Sequence, residues 1–205
     1  MFTGIISDVA TIVAASPTPA GREFVVRSVY DGITDGESIA CDGVCLTVRE
    51  SGAGTFTVAA VTTTIERTTL GAWTAGRRIN TERSMALGER LGGHLVAGHV
   101  DTVADVTRVA THGDALLVDL ALGAEWMPLM VPHGSIAVNG VSLTVNELRD
   151  GGVQISLIEY TLRHTMLGDL RAGDRVNIEA DMIGKYVQQL AAPHLPSAIS
   201  HLPSA

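Results

Sequence analysis

The sequence predicts an all-β protein of two tandem domains, each a small closed barrel, followed by one short helix. Three observations predict it. First, "SIACDGVCLTV" at residues 38–48 returns as "SIAVNGVSLTV" at residues 135–145, changed only at Cys41/Val138, Asp42/Asn139 and Cys45/Ser142. Second, the same spacing of 97 lays residues 62–82 over residues 159–179, matching Thr64/Thr161, Leu70/Leu167, Gly71/Gly168, Gly76/Gly173, Arg78/Arg175, Asn80/Asn177 and Glu82/Glu179. A constant spacing across separated blocks is the mark of an internal repeat. Third, each copy divides into short runs rich in β-branched residues, punctuated by Gly and Asp.

In chain order, the first copy offers "EFVVRSV", "SIACDGVCLTV", "GTFTVAAV" and "RRINTE" as strands, and the second offers "ALLVDLAL", "SIAVNGVSLTV", "GVQISLI" and "DRVNIE". Asp42-Gly43 and Asn139-Gly140 are turn dipeptides set inside apolar runs. Several short strands in each copy suggest a barrel, which leaves no exposed sheet edge. "MIGKYVQQLA" at residues 182–191 has helical spacing, and Pro193 stops it. The expected domains are residues 1–90, 91–180 and a helix over 181–193, with a disordered tail over 194–205 that repeats His-Leu-Pro-Ser-Ala.

Composition narrows the function. Apolar residues make up 46% of the 205-residue chain and aromatics only 4%, so a core of mostly Val, Ile, Leu and Ala is expected. The formal charge of −8 argues against nucleic acid or an anionic membrane surface as partner. No 18-residue apolar run and no basic leader ahead of an apolar stretch are present, so neither a membrane span nor a secretory signal is expected, and the cytoplasm is the expected location. Cys41 and Cys45 are expected as free thiols: in one straight strand they would stand ~13 Å apart, too far for a disulfide.

Several residues stand out chemically. Cys45 and Ser142 hold equivalent positions, and a thiol or hydroxyl there could act as nucleophile or proton carrier. A free Cys is also a common small core residue. His94 and His99 are five apart, but no accompanying ligand cluster points to a metal. The 97 spacing sets His99 opposite Phe2, which could equally be a core anchor. Thr47 and Thr144 read, without more, as ordinary strand formers on a pleated face. Asp181 would make a good N-cap for the terminal helix.

The opening "MFTGI" with "CDGVCLTV", "LGGHLVAGHVD", "GSIAVNGVSLTV" and "GDRVNIEAD" resembles the riboflavin synthase α-chain family across nearly all of residues 1–192. The resemblance implies two homologous six-stranded Greek-key barrels and a C-terminal helix that joins three chains. It implies that two molecules of 6,7-dimethyl-8-ribityllumazine dismutate to riboflavin and 5-amino-6-ribitylaminouracil, without metal or redox cofactor. It also implies a homotrimer whose reaction sites lie between the first barrel of one subunit and the second barrel of a neighbour. A reaction between two copies of one substrate accounts for two related pockets. By resemblance, Phe2, Ser38, Cys45, His99, Ser142 and Asp181 lie at the chemistry. Ligand contacts fall by the same resemblance to Thr3, Gly4, Ile5, Leu46, Thr47, Thr63, Thr64, Gly98, Val100, His133, Asn139, Leu143, Thr144, Leu157, Ile158, Tyr160 and Thr161.

The chain departs from the family pattern at several of these places. His133 stands where Lys is usual and Asn139 where Asp is usual. Asp42 replaces an Asn of the first barrel. Thr63 and Tyr160 replace acidic residues, and Glu159 replaces Pro. Two alternatives therefore stand beside the synthase: a synthase-like enzyme for a modified lumazine or pteridine, and a non-catalytic lumazine- or flavin-binding protein.

Overall fold

The computed structural model describes residues 1–191, and the tail expected over 194–205 lies outside the described residues. Strands β1 (Asp8–Thr18), β2 (Gly21–Arg27), β3 (Ser38–Cys41), β4 (Val44–Gly52), β5 (Thr55–Val61) and β6 (Arg78–Arg83) close into an antiparallel barrel in the order β1-β2-β5-β4-β3-β6. Strands β7 (Thr102–His112), β8 (Ala115–Ala121), β9 (Ser135–Val138), β10 (Val141–Arg149), β11 (Gly152–Leu157) and β12 (Arg175–Ala180) close a second barrel of the same topology. Short helices α1 (Thr62–Arg67) and α2 (Glu159–His164) follow β5 and β11, and α3 (Met182–Ala191) follows β12. Among the described residues no helix is long and apolar enough to cross a membrane.

The repeated 11-residue segment is a hairpin, which corrects the straight-strand geometry assumed for Cys41 and Cys45. Asp42 and Gly43 have φ of 43° and 79°, and Asn139 and Gly140 have 45° and 78°. Two consecutive positive φ angles make a two-residue hairpin turn whose twist matches its strands. Cys41 therefore faces Val44 and Cys45 faces Ala40 across the β3–β4 pair, and both thiols are free.

The repeat has two spacings. From β3 onward the copies are 97 apart, but Asp8 corresponds to Thr102 and Gly21 to Ala115, a spacing of 94. The loop between β8 and β9, which carries a 3-10 turn over Met127–Leu129, is three residues longer than the loop between β2 and β3. Phe2 therefore pairs structurally with Val96 and not with His99, whose counterpart is Ile5. Reciprocal hydrogen bonds link Phe2 and Val96, at 2.8 Å and 3.1 Å.

Each barrel fills its interior with the inward-facing residues that alternate along all six of its strands. Phe24, Phe56 and Trp73 concentrate the aromatic volume in the first barrel, with Trp73 meeting Phe24 edge-on at 5.3 Å. Val118 and Val153 replace the two phenylalanines in the second. A fully buried side chain of this size stabilises by about 1.5–3 kcal/mol.

The barrels meet at the two hairpin turns. A Cβ on Gly43 would come within 2.7 Å of the Gly140 nitrogen, and one on Gly140 within 2.8 Å of the Gly43 nitrogen, so only glycines permit this approach. Buried asparagines lock the seam in matched fashion. Asn80 Nδ2 donates to the Asn139 carbonyl at 3.0 Å, and Asn177 Nδ2 to the Asp42 carbonyl at 2.8 Å. Asp42 Oδ1 accepts from Asn80 N–H at 2.8 Å, and Asn139 Oδ1 from Asn177 N–H at 2.7 Å.

Candidate active site

Two short backbone straps lie over the barrels in crossed fashion. The first, residues 2–5, precedes β1. The second, residues 96–99, precedes β7. Gly4 carries φ +74° and Gly98 φ +79°, a conformation open to glycine without strain. The Gly4 carbonyl accepts from the N–H of Ser142 at 2.8 Å, and the Gly98 carbonyl from the N–H of Cys45 at 2.8 Å. An added Cβ would meet the Ser142 Cβ at 2.5 Å or the Cys45 Cβ at 2.6 Å. Each strap thus sits directly on the strand residue that distinguishes the two copies.

A buried carboxylate holds each strap. Glu82 accepts from Thr3 N–H (2.7 Å), Thr3 Oγ1 (2.7 Å) and Gly4 N–H (2.9 Å). Glu179 accepts from the N–H groups of Ala97 (2.7 Å), Gly98 (2.9 Å) and His99 (3.0 Å). Burial pushes both carboxyls above the usual range, and these donors pull partly back.

On β4, Cys45 is half-buried and Thr47 exposed while Val44, Leu46 and Val48 are buried, so Cys45 and Thr47 share the outward side. Ser142 and Thr144 do the same on β10. Ser38 lies opposite Thr47 across β3–β4. The Ser142 hydroxyl has a partner that the sequence considered only as a metal ligand: His94 Nδ1 stands 2.7 Å from Ser142 Oγ. His94 is anchored through its N–H to the Thr3 carbonyl at 3.2 Å, and burial lowers its pKa while the Asp181 carboxylate partly restores it. Its Nε2 is buried without a protein partner. Gly93 is required beside it, since a Cβ there would lie 2.1 Å from the Thr3 carbonyl oxygen and 2.8 Å from Ser142 Oγ.

The remaining candidates distribute as follows. Phe2 is fully buried with Val96, Ala40 and Ala137, and Cys45 packs against that cluster. Thr3, Gly4 and Gly98 are strap residues, Ile5 and His99 are exposed at the strap ends, and Val100 packs on the first core. Thr63 and Thr64 lie on α1, and Tyr160 and Thr161 on α2; each helical turn is closed by a hydroxyl, Thr68 onto the Thr64 carbonyl and Thr165 onto that of Thr161, both at 2.7 Å. Tyr160 is exposed and stacks on His164 with ring centroids 4.0 Å apart, and Ile158 beside it is exposed too. Leu143 is partly buried against the second core. Leu46 and Leu157 point into the barrel interiors and do not join the outward surface. Asn139 is taken up at the seam, its Oδ1 accepting from Asn177 N–H in its own barrel and its carbonyl from Asn80 Nδ2 of the other. His133 is exposed in the longer loop, its N–H donating to the Val145 carbonyl at 2.9 Å. Asp181 caps α3, accepting from Ile183 N–H at 2.9 Å, while its charge reaches His94. Among the described residues no three His, Cys, Asp or Glu side chains converge as a metal site.

Sequence reasoning missed His94 as Ser142's partner and Glu82 and Glu179 as strap holders. The two glutamates were visible as a repeated pair, but nothing local said that they are buried.

Comparison with known proteins fits this duplicated arrangement. The family model described as the lumazine binding domain matches residues 3–84 and again residues 97–181. The riboflavin synthase of Brucella abortus (strain 2308) is 41% identical over 198 residues, spanning 93% of this chain and 98% of the relative. That of Bacillus subtilis (strain 168) is 39% identical over 189 residues, spanning 91% and 88%. Among solved structures, LumP complexed with riboflavin superposes with a TM-score of 0.80 at 23% identity, covering 88% of this chain and 99% of that one, a likeness of fold.

Proposed function

The chain belongs to the riboflavin synthase family of paired lumazine-binding domains, and from that premise we propose that it dismutates 6,7-dimethyl-8-ribityllumazine to riboflavin and 5-amino-6-ribitylaminouracil. One observation carries the proposal: two matched strap-and-strand units present different reactive groups, Cys45 in one barrel and Ser142 with His94 in the other. Related but unequal pockets suit a reaction whose two substrate molecules are identical and whose roles are opposite. The four-carbon unit leaves one lumazine and joins the other, so atoms balance between two substrates and two products.

The Ser142–His94 pair handles protons. Burial keeps the imidazole neutral at pH 7, able to take a proton as the Ser142 hydroxyl acts. Cys45, on the outward side of β4, serves the ligand in the first-barrel pocket as nucleophile. Asp181 biases His94 toward accepting the proton. Asn139 serves the seam. The family's Asn and Asp stand here in reverse order as Asp42 and Asn139, so the seam still holds one carboxylate.

The working unit is a homotrimer in the cytoplasm, with each reaction site between the first barrel of one subunit and the second barrel of the next. Two features support it. On α3, Ile183, Tyr186, Val187 and Leu190 repeat at helical spacing and are all exposed. Beside the pockets, Ile5, Val61, Ile158 and Tyr160 are exposed as well. Refolding Cys45→Ala and Ser142→Ala chains together tests both chemistry and assembly. Random mixing restores about a quarter of wild-type riboflavin formation if sites lie between subunits, and none if each site lies within one chain.

A further inference from the structure

Glu82 and Glu179 each belong to one barrel and act on the other. Glu82 is on β6 of the first barrel, and the strap it holds accepts the Ser142 N–H of the second. Glu179 is on β12 of the second barrel, and the strap it holds accepts the Cys45 N–H of the first. The two straps are tied to each other by the Phe2–Val96 pair.

We propose that Glu82 and Glu179 are crossed positioning residues, each setting the reactive strand of the opposite barrel. The proposal rests on the reading of Cys45 and Ser142 as the two pocket residues. Were the glutamates clamps for their own barrels alone, each would matter most to the reactive residue of its own barrel. The straps invert that expectation, because the carbonyl on each reactive strand comes from a segment fixed in the neighbouring barrel.

Thiol labelling of the full-length protein separates the two patterns. Cys41 is fully buried with its thiol pushed far up in pKa, so an aromatic disulfide reagent reads Cys45. Glu179→Gln removes one acceptor from beneath the second strap and speeds Cys45 labelling about ten-fold, while Glu82→Gln, in Cys45's own barrel, leaves it within about two-fold. In a Cys45→Ala, Ser142→Cys chain the pattern inverts, and Glu82→Gln becomes the faster-labelling variant. If the Gln variants do not fold, Glu82→Asp and Glu179→Asp retain the carboxylate, draw it back by one carbon and give the same crossed pattern at smaller size. A same-barrel pattern, equal acceleration at both positions, or no change at either overturns the proposal. Labelling needs no turnover, so a protein inactive on the lumazine would refute the synthase reading while the crossed pattern still decided this one.

Discussion

Asp42 is a buried charge that the seam could do without. It is almost fully enclosed, accepts from Asn80 N–H at 2.8 Å and stands 3.4 Å from Arg77 Nη2. Burial raises its pKa from the usual 3.8 to about 6, the Arg77 guanidinium offsetting only part of the penalty. A carboxyl raised in the folded state stabilises fully below its unfolded pKa and loses that contribution as pH rises through the folded one. The window is therefore pH 3.8 to about 6. A shift of about two units at ~1.4 kcal/mol each makes ionised Asp42 cost about 3 kcal/mol at neutral pH. Asp42→Asn removes the charge and keeps the acceptor, as Asn139 already does for Asn177 N–H within the second barrel. The variant should be up to about 3 kcal/mol more stable than wild type at pH 7.5, and the two should converge near pH 4. Urea denaturation followed by tryptophan fluorescence at half-unit steps from pH 4 to 8 measures this. Parallel pH profiles, or a variant less stable at pH 7.5, would refute the reasoning.

Other outcomes follow from the same geometry. Cys45→Ala should slow riboflavin formation more than it weakens lumazine binding, measured by turnover against fluorescence titration; equal turnover removes the thiol from the chemistry. His94→Gln should cost about a hundred-fold in turnover. In the wild type, activity should be lost on acidification only below the ordinary histidine value of 6.5, because burial lowers the His94 pKa and the neutral imidazole is the base; an acid limb above that value would assign the proton elsewhere. Tyr186→Ser with Leu190→Ser should dissociate the proposed trimer in sedimentation and abolish turnover while leaving the far-ultraviolet spectrum of the barrels intact; unchanged sedimentation would place the proposed interface away from α3.

The sequence made the duplication, the barrels and α3 legible because β3–β6 and β9–β12 keep one spacing and repeat the same turn glycines. Strands β1 and β7 were harder, since Pro17 and polar residues interrupt the alternation in β1 and the three-residue difference in the β2–β3 and β8–β9 loops shifts the register. That shift set Phe2 against His99 instead of Val96. Helices α1 and α2 gave no signal because each is only six residues long, and their turns are held by the hydroxyls of Thr68 and Thr165 closing onto carbonyls four residues back. The strap contacts were invisible for another reason. Glu82 and Ser142 are far apart in the chain, and their connection runs through backbone carbonyls, which carry no residue-type signature. Nor could position alone separate Asn139, drawn into the seam, from a residue facing the pocket.

The most direct measurement is product analysis after incubating the purified protein with 6,7-dimethyl-8-ribityllumazine alone. Synthase action predicts that two molecules of lumazine disappear for each riboflavin formed, with 5-amino-6-ribitylaminouracil appearing in equal amount by mass and absorbance, and with no added metal or redox partner. Recovery of the lumazine unchanged, bound to the protein and fluorescent, would contradict catalysis and leave a binding protein.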